Sequence, residues 1–396
     1  MLALLAPGQG SQKPGFLTPW LSGWENADRA AALLRWYSTV SGLDLVRLGT
    51  EADADEIRDT AKTQPLLVSA GLLVAAFLPT QDATVVAGHS IGELTAAALA
   101  DVLTPEAAVA LAAARGREMG AACALEATGM SAVLGGVEAD VLDRLDALGL
   151  TPANRNGAGQ IVAAGPLPAL AKLADDPPTR ARIIALQVAG AFHTASMAPA
   201  EQALAAVAGG VAVSDPARLL LSNFDGTAVL TGAEALARIV RQVTRPVRWD
   251  RCQASLADLG VTGAIELAPA GTLAGLAKRA LKGVEVVTVN APHDLPAALE
   301  LAAKHGGTHT GGHEPSPPFQ VAVAPAAGRF QPAPLREGDL LRAGATIGEV
   351  ITRQGPVAVT ARQAGVLAEW AAEAEDPVAI GQPLARLNPA STGVDA

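Results

Sequence analysis

Apolar residues fall along the chain in two rhythms. Short continuous runs at Leu2–Ala6, Val85–Ala87, Leu219–Asn223, Ala264–Leu267 and Val284–Val289 read as strands. Longer segments between them read as helices: 25–48, 51–60, and an apolar stretch that opens at Thr63-Gln64-Pro65 and runs to Phe77. Another follows Thr104-Pro105-Glu106, where Thr104 suits the cap and Pro105 the first helical position. Between about 128 and 190 the units shorten to strand 130–136, helix 138–148, strands 150–155 and 160–164, helix 167–175 and strand 181–188. That β-α-β-β-α-β order is that of a ferredoxin-like unit, here placed as an insertion over 128–188 between core segments 1–127 and 189–303.

Residues 304–320 break both rhythms. Their Gly and Pro residues prevent helix and sheet alike, so the stretch reads as a linker. His305, His309 and His313 stand four apart, as a metal on a helix would want, but the Gly pairs between them argue against that helix, and no metal is expected. Beyond the linker the chain repeats itself. Ala324–Gly328 matches Ala361–Gly365, Glu337-Gly338-Asp339 matches Ala374-Glu375-Asp376, and Gly344–Val350 matches Gly381–Leu387, each 37 residues on. Two such halves predict a small quasi-symmetric all-β domain over 321–390.

Composition narrows the classes. Half of the 396 residues are apolar and 17% are charged, which suits a compact globular protein with a large core. A net charge of −10 argues against nucleic acid as a partner. No apolar run approaches a membrane span, and Leu2–Ala6 lacks the basic flank of a signal segment, so no membrane association and a cytoplasmic location are expected. Cys123 and Cys252 fit a reducing compartment and read as buried structural thiols.

Candidate chemistry centres on Gly88-His89-Ser90-Ile91-Gly92. A β-branched run enters this Gly-x-Ser-x-Gly turn and an Ala/Leu-rich helix leaves it, the setting in which a strained turn presents a serine nucleophile. The helix aims its N-terminal N–H groups at the position where an oxyanion would form. His193, in the loop Gly190-Ala191-Phe192-His193, is the general base at hand, because His89 adjoins the serine and must point away. Pro7-Gly8-Gln9-Gly10-Ser11-Gln12 is a Gly-rich loop after a strand, without the Gly-Lys-Ser/Thr ending of a P-loop. Arg115 and Arg117 share a helix and, on spacing alone, could simply be solvated.

Taken together, these motifs make residues 1 to about 300 resemble the malonyl-CoA:acyl-carrier-protein transacylase family. The resemblance rests on the Gly-rich loop, Thr63-Gln64-Pro65, the serine turn with Glu93, Arg115-Gly116, Asn154-Arg155-Asn156, Gly190–His193 and Pro246-Val247-Arg248-Trp249, in that order. It implies an α/β fold with an α/β-hydrolase-like core and the ferredoxin-like insertion. Ser90 would be acylated and His193 would move the proton. The backbone N–H groups of Gln9 and Ile91 would form the oxyanion hole. Arg115, with Gln64 and Phe192 also at the substrate, would grip the malonyl carboxylate in a two-pronged contact, and Phe192 would crowd a branched acyl chain. The Arg248 carbonyl would orient the histidine. Partners would be malonyl-CoA and the phosphopantetheine arm of acyl carrier protein, with no cofactor. Lys278, Arg279 and Lys282 are candidates for a basic patch that meets an acidic carrier.

Residues 324–388 resemble a biotinyl/lipoyl carrier domain, a small barrel-sandwich that presents a lysine on the hairpin between its halves. Here Gln354 falls at that place within Ile351–Pro356, and no lysine occurs after Lys304, so attachment of biotin or lipoate is chemically impossible. Two alternatives stay open. A serine esterase or thioesterase would share the serine turn, but no carboxylate before His193 has a recognisable triad context and Arg115 would be idle. An inactive scaffold would have no need of Ser90, His193 and Arg115 together.

Overall fold

The computed structural model describes residues 1–307, 320–342, 344–361 and 364–389. Two compact units result, Met1–Thr308 and His309–Ala396.

The first unit is built on a six-stranded sheet in the order Glu285–Thr288, Gly263–Glu266, Leu2–Ala6, Val85–Gly88, Leu219–Leu221, Ala228–Val229. All pairs are parallel except the last, a short antiparallel edge. The continuous apolar runs follow from burial on both faces. Leu2, Leu4, Val86 and Ile265 enter one core, while Ala3, Leu5, Val85 and Ala264 enter the other. Because the five parallel strands run in one direction, their carboxyl ends open on one edge, where a doubly covered sheet places its chemistry.

Thr128–Gly135, Thr151–Gly157, Gln160–Pro166 and Ala181–Ala185 form a separate antiparallel sheet in the order second, third, first, fourth. Helices Glu138–Ala147 and Leu167–Asp175 complete the β-α-β-β-α-β succession, packing Val141, Leu145, Leu170 and Leu173 beneath Val133, Ile161 and Ala163. A parallel bridge between Asn154 and Val247 ties this sheet to the larger body, with the Arg155 N–H on the Val247 carbonyl at 2.9 Å.

Helix limits differ from expectation where capping decides them. The helix expected over 25–48 is two: Ala27–Ser41 ends at Gly42, whose φ of +71° suits a left-handed cap, and Leu45–Thr50 restarts under the Asp44 side chain. Within 51–59 only Glu56–Arg58 is helical, as a short 3₁₀ turn. Asp59 then caps helix Thr60–Ala75, so Pro65 lies inside that helix rather than at its start. Thr104 does cap helix Pro105–Cys123, accepting the Ala107 N–H. The last helix, Leu295–His305, runs two residues into the stretch read as linker, because Lys304 and His305 both reach Glu285. His309 and His313 lie outside the described residues. Lys278 and Arg279 are exposed on helix Thr272–Ala280, and Lys282 lies beyond its end. Among the described residues no helix is long and apolar enough to cross a membrane.

Among the described residues, the second unit is all β. Its sheets run Gln320–Val323, Pro383–Pro389, Gly365–Trp370, Leu340–Leu341 and Gly355–Thr360, Thr346–Thr352, Gly328–Pro332, Pro377–Val378. The sequence repeat is visible strand by strand. Gly328 and Gly365, Leu340 and Pro377, and Thr346 and Pro383 each open strands 37 residues apart and occupy equivalent places in the two sheets. Phe330, Ile347, Val350, Leu367 and Leu384 fill the core between them. Gln354 is exposed on the hairpin joining Thr346–Thr352 to Gly355–Thr360.

Candidate active site

Strand Val85–Gly88 turns into helix Gly92–Leu99 so sharply that only glycine fits at two places. A Cβ on Gly88 would lie 2.0 Å from the Gly92 carbonyl, and one on Gly92 would lie 2.2 Å from the Ala6 carbonyl oxygen. Ser90, between them, has a φ of +53°, in the left-handed region that non-glycine residues avoid. This strained turn lifts the hydroxyl to the carboxyl edge of the sheet.

There Ser90 Oγ lies 2.8 Å from His193 Nε2. The other ring nitrogen, Nδ1, is 2.7 Å from the main-chain carbonyl of Gln242. A carbonyl only accepts, so Nδ1 carries the proton and Nε2 presents its lone pair to the serine hydroxyl. Burial, and secondarily the Arg115 charge, hold His193 down at about 3, so the imidazole is a neutral base at physiological pH. The orienting carbonyl is therefore that of Gln242, not of Arg248. The Arg248 carbonyl instead accepts the Arg251 and Cys252 N–H groups at the start of helix Trp249–Asp258, and its guanidinium pairs with Asp250.

Arg115 is 2% exposed, so the solvated-face alternative does not apply. Its Nη1 donates to Gln64 Oε1 at 2.7 Å and its Nη2 to Gln242 Oε1 at 3.0 Å, with Ser90 Oγ 3.4 Å from Nη2. Gln64 thus holds the arginine, and its own amide nitrogen faces Met119 Sδ at 3.4 Å. Arg115 Nε has no partner among the described residues. A buried cation beside a nucleophile, with a spare donor, is suited to an anionic acyl group. Arg117, by contrast, is exposed and pairs with Glu118.

The Gly-rich loop reaches the same edge. Gln9 is fixed by its side chain, whose Nε2 donates to Thr60 Oγ1 at 2.9 Å, and Gln12 Nε2 donates to the Ile57 carbonyl. Phe192 is buried beside His193. His89 points away from the acyl site, as expected: its Nε2 meets Asn156 Oδ1 at 2.9 Å and its ring packs edge-on to Trp249. Neither cysteine competes as nucleophile. Burial pushes the Cys123 thiol up to about 11 and raises that of Cys252 as well.

Three residues of the site were not singled out from sequence for the roles they take. Asn223 Oδ1 accepts the Ser90 N–H at 2.8 Å, and its Nδ2 donates to the Gly88 carbonyl at 2.8 Å. Gln242 serves through both its carbonyl and its side chain. Glu93, 4% exposed, accepts the Asn223 N–H and Gln242 Nε2, each at 2.5 Å. Asn223 could have been flagged as a polar residue just past the carboxyl end of a central strand. Glu93 stood out as a carboxylate in an otherwise apolar helix start, while Gln242 carries no local signal.

This geometry has counterparts among known proteins. The family described as "Acyl transferase domain" matches residues 4–313. The malonyl CoA-acyl carrier protein transacylase of Mycobacterium bovis is 55% identical over 307 residues, 76% of this chain and 100% of that protein. The chain belongs to the acyl transferase family. A crystal structure titled MCAT from Mycobacterium tuberculosis superposes with a TM-score of 0.71 at 54% identity, covering 76% of this chain and 99% of that one. A second, described as a malonyl-transacylase in complex with its type II PKS acyl-carrier protein, gives 0.71 at 28% identity over 76% and 99%. In this chain the Ser90–His193 pair and the buried Arg115 meet within one mixed α/β body.

Proposed function

We propose that this protein transfers the malonyl group of malonyl-CoA to the phosphopantetheine thiol of acyl carrier protein, in fatty acid synthesis, through an acyl-Ser90 intermediate. The observation that carries the reading is the placement of one buried guanidinium, Arg115, 3.4 Å from the hydroxyl that His193 Nε2 activates at 2.8 Å. A hydrolase of neutral esters would have no use for that charge. His193 also leans on a main-chain carbonyl instead of the carboxylate of a hydrolase triad.

In the first half-reaction Ser90 Oγ attacks the thioester carbonyl while His193 Nε2 takes its proton. The backbone N–H groups of Gln9 and Ile91 receive the oxyanion, and the imidazolium returns the proton to the departing CoA thiolate. In the second half, His193 removes the proton of the carrier thiol, the thiolate attacks the ester, and the proton goes back to Ser90. Arg115 grips the malonyl carboxylate throughout, steadied by Gln64, and Phe192 crowds a branch at the α-carbon. The fold reads as an α/β-hydrolase-like core with a ferredoxin-like insertion over 128–188. The unit after the linker reads as an unmodified biotinyl/lipoyl-like barrel-sandwich, supported by its two-fold strand correspondence and by Gln354 at the hairpin. A cytoplasmic setting accords with two free cysteines.

Mass spectrometry of the intact protein after brief exposure to malonyl-CoA without a carrier should find one malonyl ester, located on Ser90. Ser90→Ala should carry none and should not transfer. An acyl group on Cys123 or Cys252, or rapid release of malonate to water in place of transfer, would favour a different chemistry.

A further inference from the structure

Glu93 is a buried carboxylate that performs no step of the transfer. It stands in the first turn of helix Gly92–Leu99. One oxygen accepts the Asn223 N–H at 2.5 Å and the other accepts Gln242 Nε2 at 2.5 Å. The far end of the same amide, Gln242 Oε1, accepts from Arg115 Nη2 at 3.0 Å. Its nitrogen also meets Asn223 Oδ1 at 3.0 Å, so the amide cannot flip without placing its NH2 against the guanidinium and its oxygen against a carboxylate.

A buried guanidinium needs a compensating charge before its substrate arrives. A carboxylate directly against Arg115 would supply one, but would also fill the donors that an incoming carboxylate needs. An amide between the two charges resolves the conflict. The attraction is retained across one polar group, Gln64 and Gln242 fix the guanidinium plane, and Nε stays unpartnered among the described residues. We propose that Glu93 is a positioning residue for substrate selection: through the Gln242 side chain it holds Arg115 charged, oriented and open to the carboxylate of a dicarboxylic acyl donor. The two buried charges feel one another accordingly. Burial raises Glu93, opposed by the Asn223 N–H and then by the Arg115 charge, to a net of about 7; burial lowers Arg115, opposed by the Glu93 charge, to a net of about 10.

This inference rests on the reading of Arg115 as the carboxylate grip, so the test measures both in the full chain. Ser90 acylation is followed with malonyl-CoA and with acetyl-CoA, which lacks the carboxylate, giving kcat and KM for each. Arg115→Ala should lower the malonyl-to-acetyl ratio of kcat/KM at least tenfold. Glu93→Gln, close to isosteric but uncharged and with an NH2 facing a donor, should raise KM for malonyl-CoA about tenfold. Its kcat, and kcat/KM for acetyl-CoA, should stay within threefold. Gln242→Met removes the bridge while keeping Glu93, and should lower the malonyl-to-acetyl ratio of kcat/KM about tenfold whatever it does to the rate common to both donors; it also serves if Glu93→Gln fails to fold. The double variant should lose less than twofold beyond Gln242→Met. An unchanged ratio in Arg115→Ala would remove the grip and this inference with it. A lowered ratio there, but equal losses for both donors in Glu93→Gln and Gln242→Met, would leave the grip standing and overturn the role of Glu93.

Discussion

Replacing Asn223 with alanine tests whether the nucleophile turn is held from outside. The side chain is fully buried and reaches both limbs of the turn, accepting the Ser90 N–H and donating to the Gly88 carbonyl, each at 2.8 Å. Alanine leaves those two backbone groups without partners, at about 1–3 kcal/mol apiece, so the variant should lose about 2–6 kcal/mol. At no more than about 2–4 °C per kcal/mol, the slope for a domain of about 150–250 residues, the drop in Tm is at most about 4–24 °C. Gln242 Nε2 keeps Glu93 as acceptor and adds little to the loss. The kinetic effect has a separate origin. At a φ of +53° Ser90 sits in backbone that costs an L-residue about 1–2 kcal/mol, and the clamp from Asn223 opposes its relaxation. Once released, Ser90 Oγ moves off His193 Nε2, and a displacement near 1 Å costs about 100-fold. Thermal unfolding together with the rate of Ser90 malonylation measures both effects. Asn223→Asp sharpens the test, since one oxygen can still accept the Ser90 N–H while the other faces the Gly88 carbonyl and adds charge near Glu93. It should be more active at low pH, where the new carboxyl is protonated. A Tm unchanged within 2 °C and a rate within about threefold in Asn223→Ala would mean that the turn holds its own shape and would refute the clamp.

Two further outcomes are expected. His193, lowered from 6.5 to about 3, contributes about 5 kcal/mol of stability that is present above pH 6.5 and is lost as the pH falls toward 3. Glu93, raised from 4.5 to about 7, contributes in the opposite sense, fully below pH 4.5 and lost as the pH rises through 7. The two slopes oppose one another between pH 5 and 6.5, so Glu93→Gln should lose about 2 kcal/mol more than the parent on acidification across that window by urea unfolding, and equal slopes would refute the assignment. A chain ending after Gly307 should stay folded and acylate Ser90 at close to the full rate, because every group given a chemical role lies at or before residue 242 and helix Leu295–His305 is retained. Loss of acylation would make the β unit part of the enzyme.

Local sequence determined what depends on neighbours. The run Val85–Ala87, Gly88 and the Ala-rich helix specify the nucleophile turn, because a Cβ at Gly88 meets the Gly92 carbonyl at 2.0 Å within the turn itself, whereas Gly92 is required by the Ala6 carbonyl of the neighbouring strand. Thr104-Pro105 specifies a helix start, and a 37-residue repeat specifies two equivalent sheets, since like sequences bury like faces. Tertiary structure decided how charges and carbonyls are shared. Arg117 lies two residues from Arg115 on one helix, yet only Arg115 is enclosed by Gln64, Gln242 and Ser90, which come from three distant elements. The resemblance suggested the Arg248 carbonyl for His193, but that oxygen accepts two N–H groups, of Arg251 and Cys252, at the start of its helix. The Gln242 carbonyl accepts one, from Arg245, and its second lone pair receives the imidazole N–H. Asn223, Glu93 and Gln242 meet because parallel strands bring their carboxyl ends to one edge, across as many as 149 residues of chain. No short pattern records such a meeting, because the hydrogen bonds that fix it form only after the sheet has set its order.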